Sequence, residues 1–385
     1  MTDQLPLEGI RVVELGHSVA APYAGLVLAE LGAEIIKVER PGAGDDARGW
    51  GPPFVDGSGT MFGAFNRHKN SVEIDLKSRE GIEQVRNLAR DADVLIQNLR
   101  PGQAEKMGLG AGKLCADNPR LIYASITAYG EEGPLADRPG YDPLMQAFGG
   151  IMSVTGEEGR PSIRVGTSVV DMGAGSWIVI GVLAALVRRA QTGKGGVIGT
   201  SLYETALGWM LYHVPGFVAS GRLPRKNGSG IAMVVPYQVF DTADGEIVIA
   251  AGNDNLFRKL SQVLGHPEWA DDPRFAANAG RVENRETLVP AIAALIRMEP
   301  ADAWFDRLEA AGVPCAPVQT LDRVLSHPQT AALDIVRKDP RTDSTYFGLP
   351  LRLDGERPAR NARVPRLGED NALLETRKSP LPSAE

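Results

Sequence analysis

The chain has 385 residues, more than one hydrophobic core usually serves, so two domains are expected. Hydrophobic residues make up 43% and charged residues 23%, ordinary globular values that exclude a disordered chain. With 41 basic against 48 acidic residues the formal charge is −7, which argues against nucleic acid as the main partner.

In chain order, residues 10–15 (IRVVEL) are a β-branched run followed by Gly16. Residues 20–31 have helical composition and stop at Gly32, and residues 34–38 form a second apolar run ending in Glu39-Arg40. Strand, tight turn, helix and strand make a βαβ unit and predict a parallel sheet covered by helices. Residues 72–76, 94–97 and 121–126 read as further strands, with a helix over 79–92. The apolar stretch 174–187 is short and glycine-interrupted for a membrane span and closes on Arg188 and Arg189, so a buried helix and no membrane partner are expected. Residues 221–230 (GRLPRKNGSG) have linker composition. Residues 237–240 and 246–251 flank Thr242-Ala243-Asp244-Gly245 as a hairpin, and helices are expected over 256–264, 285–296 and 301–311. The expected division is a large α/β domain of residues 1–200 plus 361–385, a linker at 201–230, a small α+β domain at 231–325 and a return linker at 326–360.

The opening invites a dinucleotide reading, which needs three glycines at the turn. The corresponding residues are Gly16, Ser18 and Ala21; a side chain at the middle position obstructs a pyrophosphate, and the reading fails there. No P-loop, HExxH or GxSxG motif occurs, and His17, His68, His213, His266 and His327 are scattered without ligand spacing, so no metal is expected. Cys115 and Cys315 offer no disulfide framework and fit a reducing, cytoplasmic location. Residues 1–7 carry no signal-peptide pattern.

Residues 138–177 carry the densest chemistry: Gly140-Tyr141-Asp142, a run of glycines, Arg164, and then Val169-Val170-Asp171-Met172-Gly173 opening an apolar helix. An acid at a helix N-terminus is favoured by the macrodipole and can cap free amides. The same placement suits a carboxylate nucleophile beside amides that could steady an oxyanion. Position alone leaves both open.

The segments GHSVAAPYAGLVLAELGAEIIKVERPGAGDDAR, NRHKNSVEIDLKS, VLIQNLRPGQAEKMGL, PGYDPLMQAFGGIMSVTG, VVDMGAGSW, VPYQVFDTADG and AGVPCAPV, in this order, resemble the class III coenzyme A transferases over nearly the whole chain. Among these are formyl-CoA transferase and the carnitine and dicarboxylate CoA-transferases. The resemblance implies a large Rossmann-like domain with a parallel sheet, a smaller α+β domain, and a homodimer of interlocked chains. It implies that Asp171 is the catalytic carboxylate, passing through an aspartyl–acyl anhydride and an aspartyl-CoA thioester, with Tyr141 beside the acyl group. It places CoA contacts on Arg40, Ile74, Lys77, Asn98, Leu99 and Lys106, and substrate contacts on His17, Ser18, Val19 and Asp142. No resident cofactor is implied; acyl-CoA and small carboxylic acids are the partners.

Two departures bear on the substrate. The glycine-rich loop of formyl-CoA transferase is represented by Ala250-Ala251-Gly252-Asn253-Asp254, and Val19 stands where that enzyme has glutamine, which points away from oxalate and formate. The stretch 44–54 (GDDARGWGPPF) and the Gly252-Asn253 segment are similar to dicarboxylate-using members, so a succinyl-CoA-like donor and a dicarboxylate acceptor are expected. Arg48 and Arg164 are candidates for the second carboxylate, since Arg offers a bidentate fork. The alternatives are a racemase of the α-methylacyl-CoA type, which has histidine in place of Tyr141, and a catalytically silent CoA-binding protein. A neutral tyrosine is a poor base near neutral pH, which favours transfer.

Overall fold

The β-branched run at the start of the chain forms strand β1 (Arg11–Leu15), and Gly16 turns it into helix α1 (Ala20–Glu30) and strand β2 (Glu34–Glu39). The structure is a computed structural model that describes residues 5–358 and 362–375. It continues with β3 (Asn70–Glu73), α2 (Arg79–Arg90), β4 (Val94–Gln97), β5 (Ile122–Thr127), α3 (Asp142–Phe148), α4 (Val169–Thr192), β6 (Gly196–Ser201) and α5 (Leu202–Trp209). The six strands pair in parallel in the order β3-β2-β1-β4-β5-β6. The chain winds outward from β1 to β3, then returns to the other side of β1 with β4, so the winding reverses between β1 and β4. In open α/β sheets the crevice at the carboxyl ends of strands flanking such a reversal is where ligands bind.

Two strands differ from expectation. The third begins at Asn70 and ends at Glu73, because the chain turns at Asp75–Ser78: the Gly81 N–H donates to Ser78 Oγ (2.9 Å) and caps α2. Strand β6 (GVIGTS) is not marked by the sequence, since its two glycines interrupt the apolar pattern.

The described residues divide into two compact units. The first takes in the chain up to Gly150, Val165–Leu211 and the chain from Gln329 onward; the second comprises Ile151–Arg164 and Tyr212–Pro328. Helix α5, inside the expected 201–230 linker, belongs to the first unit, as does the larger part of the expected 326–360 return segment. In that unit the tail covers the edge of β3: the Ser71 and Glu73 amides donate to Asp370 Oδ2 (2.9 Å) and Asn371 Oδ1 (2.8 Å). Residues 1–4, 361 and 376–385 of the expected large domain, and 359 and 360 of the expected return linker, lie outside the described residues. The second unit holds a three-stranded antiparallel sheet, β7 (Tyr237–Asp241), β8 (Glu246–Ala250) and β9 (Cys315–Pro317). Helices α6 (Asp254–Val263), α7 (Arg285–Ile296) and α8 (Ala301–Ala310) complete it, around a core that includes Ile247, Phe257, Leu288 and Trp304.

Alternation along β1 sends Val13 and Leu15 to one face, where they pack with Ile36, Val38 and, from α2, Val85 and Leu88. Glu14 therefore faces the other side, fully buried against α1. Two buried ammonium groups answer it: Lys37 Nζ donates to Glu14 Oε1 (2.9 Å) and Lys69 Nζ to Glu14 Oε2 (2.8 Å). Gly25 of α1 makes room, since a Cβ there would stand 2.0 Å from Glu14 Oε2. Lys37 also donates to the Gly16 carbonyl (2.7 Å) and lies 2.9 Å from Asp45 Oδ2 as an ion pair off hydrogen-bond geometry. Burial works against the Lys37 ammonium, but Glu14 and Asp45 outweigh it and raise its pKa. Burial wins at Lys69, whose pKa falls to about 8 despite the pull of Glu14.

Helix α4 is long and apolar enough by length and composition to cross a membrane. One stripe of it, Val170, Ala174, Ile178, Val182 and Ala185, is buried in the first unit.

Removing one partner of a buried ion pair leaves an uncompensated charge, at a cost of about 3–5 kcal/mol. Glu14→Ala is accordingly expected to lower the urea midpoint by that margin at unchanged m-value. A midpoint equal to that of the unsubstituted protein would show that the two ammonium groups do not depend on Glu14.

Candidate active site

The crevice between β1 and β4 is built by the turn after β1. His17 is held through its backbone, its N–H donating to Asn98 Oδ1 (3.0 Å) and its carbonyl accepting from Asn98 Nδ2 (2.9 Å). Ser18 takes a left-handed backbone (φ 68°), and its N–H donates to Asp45 Oδ1 (3.0 Å). This is the turn amide that a dinucleotide phosphate would use, and a carboxylate already holds it. Gly16 lets the turn close on α1, since a Cβ there would stand 2.5 Å from Ala21 Cβ. His17 Nδ1 lies 3.1 Å from Ser18 Oγ, and burial lowers the pKa of the ring.

Two cavities of the first unit meet at this turn. One, of about 260 Å³, is lined by His17, Ser18, Val19, Asn98, Tyr141 and Asp171 among others. The other, of about 290 Å³, is lined by Arg40, Ile74, Lys77, Leu99 and Met107 among others. His17, Asp46, Leu99 and Gln103 line both, so the two are compartments of one groove. The second compartment has apolar walls (Ile74, Leu76, Leu99) and cations at its edge (Arg40, Lys77), a combination suited to a flat ring system carrying phosphates. Arg40 is partly engaged by Asp46 and by the Gly44 carbonyl.

Asp171 is the third residue of α4 and is buried, with 9% of its surface exposed. It does not cap the helix. The cap comes from α3: the Val170 N–H (2.7 Å) and the Asp171 N–H (3.3 Å) both donate to Asp142 Oδ2. Asp142 Oδ1 accepts from Gln146 Nε2 (2.6 Å), and Gln146 Oε1 accepts from the Val165 N–H (2.8 Å). The Val169 N–H donates to the Thr167 carbonyl (2.9 Å) and the Met172 N–H to the Ser168 carbonyl (3.0 Å). Every amide of the first turn is thus occupied, and the expectation that these amides steady an oxyanion is corrected. Burial, and then the neighbouring charge of Asp142, push the Asp171 carboxyl up to about 7.

Of the residues singled out by sequence, His17, Ser18, Val19, Asn98, Leu99, Tyr141 and Asp171 line the first compartment. Arg40, Ile74, Lys77 and Leu99 line the second. Asp142 is buried beneath Asp171. Lys106 is exposed and lines neither compartment. The structure does not bring Arg48 to the groove: it is buried over the Phe62 ring, with Nε and Nη2 donating to Glu39 (2.7 Å each). Arg164, Gly252 and Asn253 belong to the second unit, where Asn253 Oδ1 accepts from the Leu256 N–H (2.9 Å) as the cap of α6. Sequence reasoning missed Arg100 and Arg138, which line the first compartment and make no ion pair among the described residues. Their signal was adjacency, one following Asn98-Leu99 and the other preceding Pro139-Gly140-Tyr141. Among the described residues no group of three or more His, Cys, Asp or Glu side chains is placed to hold a metal ion.

The description CoA-transferase family III matches residues 7–371. The chain is 38% identical to the succinyl-CoA:glutarate CoA-transferase of Mus musculus over 324 residues, 84% of this chain and 74% of that one. It is 37% identical to the acetyl-CoA:oxalate CoA-transferase of Acetobacter aceti over 371 residues, 96% of this chain and 95% of that one. A crystal structure of a CAIB/BAIF family protein from Brucella suis superposes with a TM-score of 0.88 at 39% identity, covering 97% of this chain and 99% of that one. A nucleotide-sized groove ending at a buried carboxylate, on a fold and sequence shared this widely, makes the chain an enzyme and a member of CoA-transferase family III.

Proposed function

We propose that the protein moves CoA from a succinyl-CoA-like donor to a dicarboxylate acceptor, with Asp171 as nucleophile. The observation that carries this reading is the buried Asp171 carboxylate at one end of a groove whose other end suits a nucleotide. Ionised Asp171 attacks the thioester carbonyl carbon; the C–S bond breaks, leaving CoA thiolate and an aspartyl–acyl anhydride. The thiolate attacks the aspartyl carbonyl, the donor acid leaves, and an aspartyl-CoA thioester remains. The acceptor carboxylate attacks that thioester to give a new anhydride and CoA thiolate, which attacks the acceptor's acyl carbon and restores Asp171. No proton is gained or lost in the sequence, so it calls for no general base and no resident cofactor. Enclosure keeps water from the anhydride.

CoA contacts are assigned to Arg40, Ile74, Lys77, Asn98 and Leu99, with Lys106 at the outer rim, and Tyr141 to the acyl group. The dicarboxylate assignment rests on the glutarate named for the mouse relative; the oxalate named for the Acetobacter aceti relative is also a dicarboxylate, and it runs against the expectation from Val19 and the 250–254 segment. Arg100 and Arg138 are supporting cations for the anionic ends of CoA and the acid. A homodimer is part of the same reading, with interlocking taken from the family likeness. Its support is the outer face of α4, where Trp177, Ile180 and Val187 stay 43%, 55% and 64% exposed in the single chain. Sedimentation is expected to give about twice the 41.2 kDa of one chain, and a monomeric mass would reject the dimer.

Incubation with succinyl-CoA followed by hydroxylamine is expected to convert Asp171 to a hydroxamate, and Asp171→Ala to abolish both label and transfer. Undiminished transfer in Asp171→Ala would sink the mechanism. A mass-spectrometric screen of glutarate, oxalate, succinate and monocarboxylates as acceptors tests the substrate class; turnover of monocarboxylates alone would reject it.

The nucleophile is the deprotonated form, so transfer is expected to rise with pH through about 7, the value to which Asp171 is raised. Stability moves the other way. A carboxyl whose folded pKa exceeds its unfolded one favours folding fully below the unfolded value, and that contribution is lost as pH climbs through the folded value. Asp171→Asn is therefore expected to melt higher than the unsubstituted protein at pH 8, with the gap closing towards pH 4. Equal melting temperatures at pH 8 would contradict the cost of burying this charge.

A further inference from the structure

The first turn of α4 raises a question that the nucleophile assignment alone does not answer. A carboxylate at the third position of a helix normally gains from the free amides and the positive end of the dipole, which hold its pKa down. At Asp171 none of those amides is free. Val169 and Met172 donate to the Thr167 and Ser168 carbonyls, and Val170 and Asp171 donate to one oxygen of Asp142. The second oxygen of Asp142 is fixed by Gln146, itself tied to the Val165 amide. Asp142 is 2% exposed and lines neither compartment of the groove, so it does not touch the acyl group, contrary to the substrate contact expected from the sequence.

We infer that Asp142 is a positioning residue for the nucleophile: by accepting the opening amides of α4 it fixes Asp171 in the groove and withholds the donors that would stabilise Asp171's charge. A carboxylate without donors, beside a second negative charge, is a stronger nucleophile than one at an ordinary helix end. It also gains more on becoming a neutral anhydride or thioester. The inference rests on Asp171 being the nucleophile. The directions of the shift at Asp171 agree, burial acting first and Asp142 second. The other titratable and charged groups along the cleft are His17, Asp46, Arg100, Arg138 and Tyr141. None of them donates a hydrogen bond to Asp171 among the described residues. Glu204, on the neighbouring α5, accepts from Ser201 Oγ (2.7 Å).

The test uses Asp142→Ala, which removes the charge and frees the two amides, and Asp142→Asn, which removes the charge but still presents an oxygen to them, with Asp142→Glu keeping both. Ionisation of Asp171 is read directly by infrared titration of the carboxyl stretch that disappears in Asp171→Asn. Single-turnover adduct formation with succinyl-CoA gives the rate. In Asp142→Ala the Asp171 midpoint, and with it the acid limb of the rate profile, is expected to fall by about one unit or more, and in Asp142→Asn by less. The adduct rate at pH 8 is expected to drop on the order of tenfold, the consequence of a weaker base, while the KM for succinyl-CoA stays within about twofold. Asp142→Glu is expected to retain the raised midpoint. Equal midpoints in the unsubstituted protein and folded Asp142→Ala would overturn the inference, as would equal falls in Asp142→Ala and Asp142→Asn, which leave the amides no part, or an unsubstituted midpoint near 4, which needs no variant to fold. Transfer surviving in Asp171→Asn would remove the nucleophile instead. An essential Asp171 with a midpoint indifferent to residue 142 removes the role of Asp142 alone.

Discussion

The first unit depends on a carboxylate placed where a strand should bury a methyl group. Glu14 points into the layer between the sheet and α1, and only a matched pair of ammonium groups makes that tolerable. The match has consequences beyond the core. Lys37 reaches on from Glu14 to the Gly16 carbonyl and to Asp45, and Asp45 takes the Ser18 amide. Both oxygens of Glu39 bind Arg48, and one of them also accepts the Asp45 N–H (2.9 Å). A chain of buried charges therefore runs from the middle of β1 to the turn at its end, which is the wall shared by the two compartments. The left-handed Ser18 persists because both sides of the turn are tethered, by Asp45 and by Asn98.

Much of this was legible in the sequence because it is local. The IRVVEL run, Gly16 and the EIIKV run mark β1, α1 and β2, since alternation and a turn glycine act over a few residues. The failed glycine fingerprint was informative for the same reason: a side chain at position 18 already spoke against a pyrophosphate, and Asp45 at the Ser18 amide gives the physical form of that exclusion. What was not legible is non-local. Nothing near Arg48 indicates that Glu39 and the Phe62 ring will claim it, and nothing near Asp171 indicates that a residue 29 positions earlier caps its helix. Strand β6 escaped because its glycines erase a pattern that pairing with β5 then imposes from outside. The candidate site was found by family resemblance, and the residues that carry it were ordinary charges and small groups until the fold placed them together.

The groove divides its work between two kinds of surface. In the second compartment, apolar walls stand behind edge cations that keep their exposure, so no buried unpaired charge is stored there. On the proposed function that is a surface for binding and release, as a phosphate-bearing substrate that must leave each cycle requires. The first compartment differs. Its single buried carboxylate meets no donor among the described residues, so on the proposed function what it offers is reactivity rather than affinity.

Two of the buried carboxylates of this unit, Glu14 and Asp171, stand in opposite surroundings. Glu14 is fully paired: two ammonium groups fill its oxygens, and neither its charge nor its position has reason to change. Asp171, 9% exposed and lining the first compartment, is left without a cation or an amide donor among the described residues, with Asp142 as its charged neighbour. Charge held that way is costly, and under the proposed mechanism the cost is relieved when the carboxylate becomes a neutral acyl derivative. The proposed anhydride or thioester at Asp171 would remove one of two like charges from the start of α4, while Asp142 keeps its three donors and the helix stays anchored. The destabilisation is thus localised on Asp171, the group proposed to react, and the paired charges behind the turn keep the surrounding frame from relaxing to remove it.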